Sequence, residues 1–395
     1  MSGFFNTATL TKARITHLST PKCGACGLYS DCNSPKLAPV HPQGASTLLV
    51  FSYPNYYCDE QGVHVLPSSF RRLAAAFREH EITKQDVAIT SAVICHPDGD
   101  PDEKQIEACL PNLLKVIHDV KPIRILVFGQ TAVSSLISHL WQDAAGKESR
   151  WWKWCIPSVE LNAWVMCFPN LYMLDQDRVP AGLCQVFDEG MRIILSKTKR
   201  PWKRTPTDAC TLYSEPSAAV DHIEQIIEAG MPCAIDYETN MLKPDGSDAR
   251  IVCAGICQAG DATIAFPWSS QIATAMKKFV QSPIKKIAAN MKFEDRWTRA
   301  ILGCSVRNFV WDTMQAAHVL DNRPEISGVK FQSFARLGRA RYDRKVKPYL
   351  ASEDSRSPNK IDQLPLPLLL KYCALDNLYE YEIAQQQMRE MGYEL

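Results

Sequence analysis

Ala234-Ile235-Asp236-Tyr237-Glu238-Thr239-Asn240 continues an apolar lead-in from Cys233 and carries two acids one residue apart. In a β-strand, residues i and i+2 share a face, so Asp236 and Glu238 point to the same side. Two carboxylates side by side repel unless a cation lies between them. Hard divalent cations such as Mg²⁺ take oxygen ligands of this kind. An exposed strand end with two solvated acids would read the same way, so the stretch gains meaning from the acids further along the chain.

There are two such stations. Ala288-Ala289-Asn290-Met291-Lys292-Phe293-Glu294-Asp295 ends a strand-like run and enters a helical pattern of Phe293, Trp297, Ala300 and Ile301. Tyr372-Cys373-Ala374-Leu375-Asp376 lies in another helical pattern, where spacing i, i+4 puts Tyr372 and Asp376 on one face. A strand Asp-x-Glu, an Asn-x-x-x-acid and a Tyr-x-x-x-Asp, in that order, resemble the three exonuclease motifs of the DEDD superfamily. The form is that of the proofreading 3′–5′ exonuclease domain of family A DNA polymerases. Asp312-Thr313-Met314, opening a helix between the second and third motifs, fits the same pattern. The resemblance covers roughly residues 210–392. It departs at one position: the family usually has Asp four residues after the Asn, and here stands Glu294, with Asp295 next to it. A longer carboxylate can still reach a metal through water, so Glu294 reads as a variant and Asp295 as its substitute.

The resemblance implies a ribonuclease-H-like layout, matching strand-like runs at 232–235, 251–256, 262–266 and 286–289 with a helical run near 272–280. It implies two divalent ions, Mg²⁺ or Mn²⁺, about 4 Å apart. Asp236 would bridge both, Glu238 and Asp376 would complete the first, and Glu294 would support the second through water. Tyr372 would orient the attacking water and Asn290 would act as a positioning group. Lys285, Lys286, Lys292, Arg296 and Arg299 surround the second motif, and Arg336, Arg339, Arg341, Arg344, Lys345 and Lys347 form a second basic run. Beside a metal–carboxylate site such runs suggest phosphate binding, here of a single-stranded 3′ end. Only the resemblance favours DNA over RNA. Ser352 to Asn359 reads as a mobile loop near the site.

At 395 residues the chain is expected to form two domains, each able to bury a core. A formal net charge of +1 confines any nucleic-acid surface to local patches. There is no N-terminal apolar signal region and no apolar run long enough for a bilayer, so a cytoplasmic protein without a membrane partner is expected. Fifteen cysteines, an odd number with several in apolar strands, read as reduced thiols.

Cys23-Gly24-Ala25-Cys26 opens the N-terminal half, with Cys32 close behind. Cys95 ends a buried strand-like run, and Cys109 lies on a helix expected to be capped by Asp100-Pro101. By periodicity alone Cys109 is a core residue. Residues 20–195 nevertheless resemble family 4 uracil-DNA glycosylases, through the CxxC, Asp59-Glu60-Gln61-Gly62, Cys95-His96-Pro97, Cys109 and the run Ile125-Leu126-Val127-Phe128-Gly129. That resemblance implies a [4Fe–4S] cluster on Cys23, Cys26, Cys95 and Cys109. Zinc is the alternative, and Cys32 could replace one ligand. The family's pocket loop aligns with Phe51-Ser52-Tyr53-Pro54-Asn55, its uracil-reading Asn with Ser91, and its His-Pro-Ser with Phe168-Pro169-Asn170. With every pocket signature altered and the cysteines kept, no uracil excision is expected.

The expected fold is therefore α/β: a uracil-DNA-glycosylase-like, mainly parallel three-layer domain over 1–200 and a ribonuclease-H-like exonuclease domain over 210–395. Residues 197–209 read as a basic linker, with Lys199 and Arg200 as either a solvated tether or phosphate contacts. Trp151-Trp152-Lys153-Trp154 reads as a base-stacking platform or as an aromatic loop on the sheet edge. Family A polymerases continue past the third motif, whereas 19 of the 395 residues come after Asp376 here. The pairing of domains looks like phage replication proteins. The expectation is a proofreading exonuclease for single-stranded DNA 3′ ends, partnered with a DNA polymerase on another chain. A non-catalytic DNA-binding or adaptor module and a free-standing nuclease are the alternatives.

Overall fold

The computed structural model describes residues 22–66, 70–174, 179–206, 208–258, 262–354 and 357–394. It forms two compact units, Met1–Thr205 with Gly338–Ala340, and Pro206–Leu337 with Arg341–Leu395. Among the described residues no helix is long and apolar enough to cross a membrane.

The first unit is built on a sheet in the order β2-β1-β3-β5-β4. Its strands are β1 (Thr47–Phe51), β2 (Val87–Ser91), β3 (Arg124–Phe128), β4 (Cys155–Ser158) and β5 (Ala163–Phe168). All pairings are parallel except β4 with β5. The runs TLLVF, VAITS and RILVF are buried along their whole length, as strands covered on both faces must be. Its helices include α1 (Cys23–Cys26), α2 (Tyr56–Gln61), α3 (Arg71–Glu79), α4 (Glu103–Val120) and α5 (Ala181–Leu195). One core gathers Phe51, Phe70, Phe77, Phe128, Phe168 and Phe187. Helix α4 is capped by Asp102, in a reciprocal box with Gln105, and not by the expected Asp100. Asp100 instead accepts the Tyr53 hydroxyl at 2.6 Å.

Part of the expected linker is a strap packed on this unit. The Lys197 ammonium sits 4.5 Å over the Trp164 ring, and Trp164 Nε1 donates to the Lys199 carbonyl at 2.9 Å. Arg200 donates to the carbonyls of Lys121, Pro122 and Asn162 at 2.5, 3.1 and 2.9 Å. Trp202 Nε1 donates to the Pro157 carbonyl at 3.1 Å. The basic residue Arg200 thus satisfies loop ends of its own unit, which corrects its reading as a tether or phosphate contact.

In the second unit the sheet order is β11-β10-β7-β8-β9-β6. Its strands are β6 (Thr211–Leu212), β7 (Cys233–Thr239), β8 (Ile251–Gln258), β9 (Ala262–Pro267), β10 (Lys286–Ala288) and β11 (Phe309–Asp312). Strands β7, β8 and β9 are antiparallel, flanked by parallel β10, β11 and β6. The helices are α6 (Pro216–Ala229), α7 (Ser270–Gln281), α8 (Met291–Leu302), α9 (Thr313–Leu320), α10 (Val329–Leu337) and α11 (Leu366–Glu390), with the short Lys347–Leu350 turn between the last two. Alternation along β7 sorts its side chains. Cys233, Ile235 and Tyr237 enter the core with Ile223, Phe279 and Trp297, while Ala234 packs with Leu375 and Leu378 of α11. Asp236 and Glu238 share the face of Ala234 and so confront α11.

Helix α11 reaches that close because β8 offers Gly255. A Cβ there would lie 2.2 Å from Asn377 Nδ2 and 3.1 Å from Cys373 Sγ. Gly255→Ala is expected to destabilise the protein by about 1–3 kcal/mol through overpacking. It should also lower nuclease activity by displacing the helix that carries Asp376. Denaturant melts and nuclease rates on one preparation check both effects.

Candidate active site

Three elements bring their acids to one face. Strand β7 contributes Asp236 and Glu238, and α11 presents Tyr372, Asp376 and Glu380 at i, i+4 and i+8. Between β10 and α8, Asn290 takes the left-handed conformation (φ 60°, ψ 57°), which starts the helix bearing Glu294. The Asp312 carboxylate fixes this junction. It accepts the N–H groups of Asn290 and Met291, each at 3.0 Å, and those of Met314 and Gln315 at 3.0 and 3.1 Å. Oxygens of Asp236 and Glu238 and the Cys373 sulfur lie within 4.8 Å of one another.

These charges are largely removed from water: Glu294 and Glu380 are each 1% exposed, Asp376 5% and Glu238 7%. Asp236, half-buried, has its pKa pushed up to about 7 by burial and then by the Asp376 charge, against the pull of Lys330. Burial and Asp236 raise Glu238 well above the usual carboxylate range. Burial, then Asp236 and Glu380, do the same to Glu294, and burial with Asp236 and Asp376 to Glu380. Against these five acids stands Lys330, whose ammonium donates to both Asp376 oxygens at 2.5 and 2.6 Å. It lies 4.6 Å over the Tyr372 ring and 5.2 Å over Tyr342, and the Tyr342 hydroxyl also donates to Asp376. Burial pulls the Lys330 pKa down, but Asp376, Glu238 and Asp236 outweigh it and the net shift is upward.

The set fits a divalent cation. Glu294 Oε2 is buried with no hydrogen-bond partner, so an acceptor has been taken from water without compensation. Apart from Cys373, the donors are carboxylate oxygens, which suit Mg²⁺ or Mn²⁺. Lys330, Tyr342 and Glu380 were not singled out by sequence reasoning. Glu380 could have been found, four residues beyond Asp376 on the same face; the other two carry no local signal.

Other expected residues fall elsewhere. Asp295 does not substitute for Glu294: it pairs with Arg299 at 2.7 Å and accepts the Val306 N–H at 2.8 Å. Asn290 is exposed, and its side chain makes no cap bond. Lys286 is fully buried, donating to the carbonyls of Ser282 and Ile284 at 2.7 and 3.0 Å, with its pKa pulled down to about 8 by burial. The second basic run is split: Arg336 pairs with Glu390 and Arg341 with Asp343, both at 2.6 Å, and Arg339 is 9% exposed, whereas Arg344, Lys345 and Lys347 are exposed. Arg339 and Arg341 are therefore not a free phosphate surface. Lys292 and Arg296 are exposed beside the second motif, Arg296 in an ion pair with Asp245 at 2.5 Å. Lys199 is exposed. Of the expected mobile loop, Ser355 and Arg356 lie outside the described residues.

In the first unit, Cys109 is an electrostatic neighbour of Cys23 and Cys26, and Cys95 of Cys26, Cys109 and Cys32. Burial pushes the thiols of Cys95 and Cys109 up to about 12 and 11. The Lys36 N–H donates to Cys95 Sγ at 3.3 Å, a contact that suits a ligating sulfur. The glycosylase-type pocket positions are spent internally. Ser52 Oγ donates to the Phe128 carbonyl at 3.1 Å, Asn55 Nδ2 to the Tyr172 hydroxyl, and Asp59 accepts the N–H groups of Asn33 and Ser34 at 2.8 and 2.9 Å. His64 bridges Ser91 Oγ and the Ala38 carbonyl at 2.9 and 3.0 Å, and burial lowers its pKa to about 4. Trp151 is fully buried and donates to the Ala145 carbonyl at 2.8 Å, which makes it part of the core and not a stacking platform.

Residues 44–174 match the family model of the uracil DNA glycosylase superfamily, and residues 212–391 that of a 3′–5′ exonuclease. The chain thus carries a glycosylase-superfamily domain followed by a 3′–5′ exonuclease domain, on a mixed α/β fold. Its N-terminal part is 30% identical over 99 residues to the type-4 uracil-DNA glycosylase of Pyrobaculum aerophilum, covering 25% of this chain. The chain spans 50% of the length of that relative. Among solved structures, similarity extends to the catalytic core of RRP6 from Trypanosoma brucei (13% identity, 46% of this chain and 48% of that one, TM-score 0.33). Brucella melitensis NrnC with bound Mg²⁺ is also similar (16%, 47% and 83%, 0.32). So is Escherichia coli RNase D, an exoribonuclease involved in structured RNA processing (16%, 46% and 45%, 0.32).

A raised carboxylate pKa means that the folded protein holds protons the unfolded chain has released. Metal-free stability is then present below the unfolded value and is lost as pH rises through about 7 for Asp236. In EDTA, the melting temperature should fall between about pH 5 and about pH 8. Mg²⁺ or Mn²⁺ should restore it most at the upper end, by roughly 4 °C for each one to two kcal/mol regained. Calorimetry at both pH values, with and without metal, checks the sign.

Proposed function

We propose that the chain removes nucleotides from single-stranded DNA 3′ ends, as a proofreading subunit for a polymerase encoded on another chain in a phage-type replication system. The observation that carries the nuclease reading is the convergence of Asp236, Glu238, Glu294 and Asp376, with Tyr372, around an orphaned buried carboxylate oxygen. Asp236 and Glu238 with Asp376 would hold one divalent ion, and Asp236 with Glu294 a second. Bound there, the ions supply Lewis acidity to the attacking water and the departing 3′ oxygen. Tyr372 would orient the water, and the Lys330 ammonium holds the Asp376 carboxylate aimed through both of its oxygens. Lys292 and Arg296 offer phosphate contacts beside the second motif.

In the N-terminal domain, likeness to a type-4 glycosylase favours a [4Fe–4S] cluster over zinc on Cys23, Cys26, Cys95 and Cys109. That domain would serve as a scaffold binding DNA or the polymerase, in the cytoplasm of the host cell. The intact acidic set speaks against a purely non-catalytic module. A free-standing degradative nuclease differs in needing no polymerase, which co-purification separates.

Digestion of 5′-labelled single-stranded DNA and RNA should give a metal-dependent ladder shortening from the 3′ end, faster on DNA. Asp236→Ala/Glu238→Ala should abolish it, and a ladder on RNA alone would overturn the DNA reading. The same protein should leave a uracil-containing oligonucleotide without abasic sites, because the positions that would read the base are bonded internally.

A further inference from the structure

Glu380 is a buried acid that the expected exonuclease chemistry leaves unused. It stands one turn beyond Asp376 on α11, facing the sheet, and is 1% exposed. Its Oε1 accepts the Thr313 hydroxyl at 3.4 Å. Thr313 adjoins Asp312, the residue that anchors the start of α8 and so the position of Glu294. Glu380 is also an electrostatic neighbour of Glu294. Among the described residues no lysine or arginine pairs with Glu380, while Glu294 Oε2 beside it has no partner at all.

We infer that Glu380, together with Glu294, supplies carboxylates to the second divalent ion, so that the protein itself holds this ion before nucleic acid arrives. The inference rests on the two-ion reading of the site and adds a fifth carboxylate to it. A glutamate in place of the family's usual aspartate then has a reason. Glu294 and Glu380 stand on different helices, α8 and α11, and the longer side chain would extend the reach of each toward that ion. Such a site would fill at lower metal concentration and without the help of a substrate phosphate.

The test is a Mn²⁺ titration of the full-length protein without nucleic acid, reading free Mn²⁺ by electron paramagnetic resonance. Wild type should bind two ions. E380Q should keep one at wild-type affinity and bind the second about 10-fold or more weakly, the scale seen when a carboxylate supporting a metal is removed. E380D should lie between them. Two ions bound by E380Q at wild-type affinity would overturn the inference, since a merely protonated, structural Glu380 is well mimicked by Gln. Should E380Q fail to fold, wild-type binding by E380D would overturn it equally, and a weakened second ion would support it. D236N separates the two levels. If wild type binds no Mn²⁺, or D236N changes nothing, the two-ion reading itself fails. If D236N abolishes binding and E380Q is silent, only the role of Glu380 is lost.

Discussion

The second unit is organised around a cluster of buried acids whose mutual repulsion raises their affinity for protons. Asp236, Glu238, Glu294, Asp376 and Glu380 meet where α11 lies against β7 and β8, and Lys330 is the ammonium set among them. Hydrophobic burial elsewhere keeps these acids in place: Phe279, Trp297 and Ile223 seat one face of the sheet, and Leu375 and Leu378 seat the other. Such an arrangement trades stability for readiness, because the strain ends when divalent charge enters. Lys330 holds the position of a counter-ion, bonded to Asp376 and seated 4.6 Å over the Tyr372 ring.

How much of this was legible depended on how local each signal was. Strand β7 could be read because a two-residue alternation puts the core side chains on one face and both acids on the other. Tyr372 and Asp376 could be read because one helical turn brings them together. Lys330 and Tyr342 reach Asp376 across 46 and 34 residues, and only the tertiary path of the chain sets that meeting. The basic run misled for the same reason. Arg336 finds Glu390 54 residues away, and a count of positive charges says nothing of partners already inside the fold. Asp102 displaced Asp100 as the helix cap because Gln105 stands three residues on to complete the box, and Tyr53 claims Asp100.

The first unit shows the reverse balance. Cys95 and Cys109 are electrostatic neighbours of the CxxC thiols, while Ser52, Asn55 and Ser91, which align with the glycosylase pocket, make bonds within the domain. Ser52, Asn55, Asp59 and His64 all make internal bonds.

Asp312 stands just outside the acidic cluster, and its one side chain accepts amides from two helix starts. The amides of Asn290, Met291, Met314 and Gln315 therefore share a single acceptor group and lose it together. In hydrogen exchange this would make α8 and α9 open as one cooperative segment, with their ends neither fraying nor exchanging separately. The backbone under Glu294 would then be as rigid as the junction, whatever occupies the site above it.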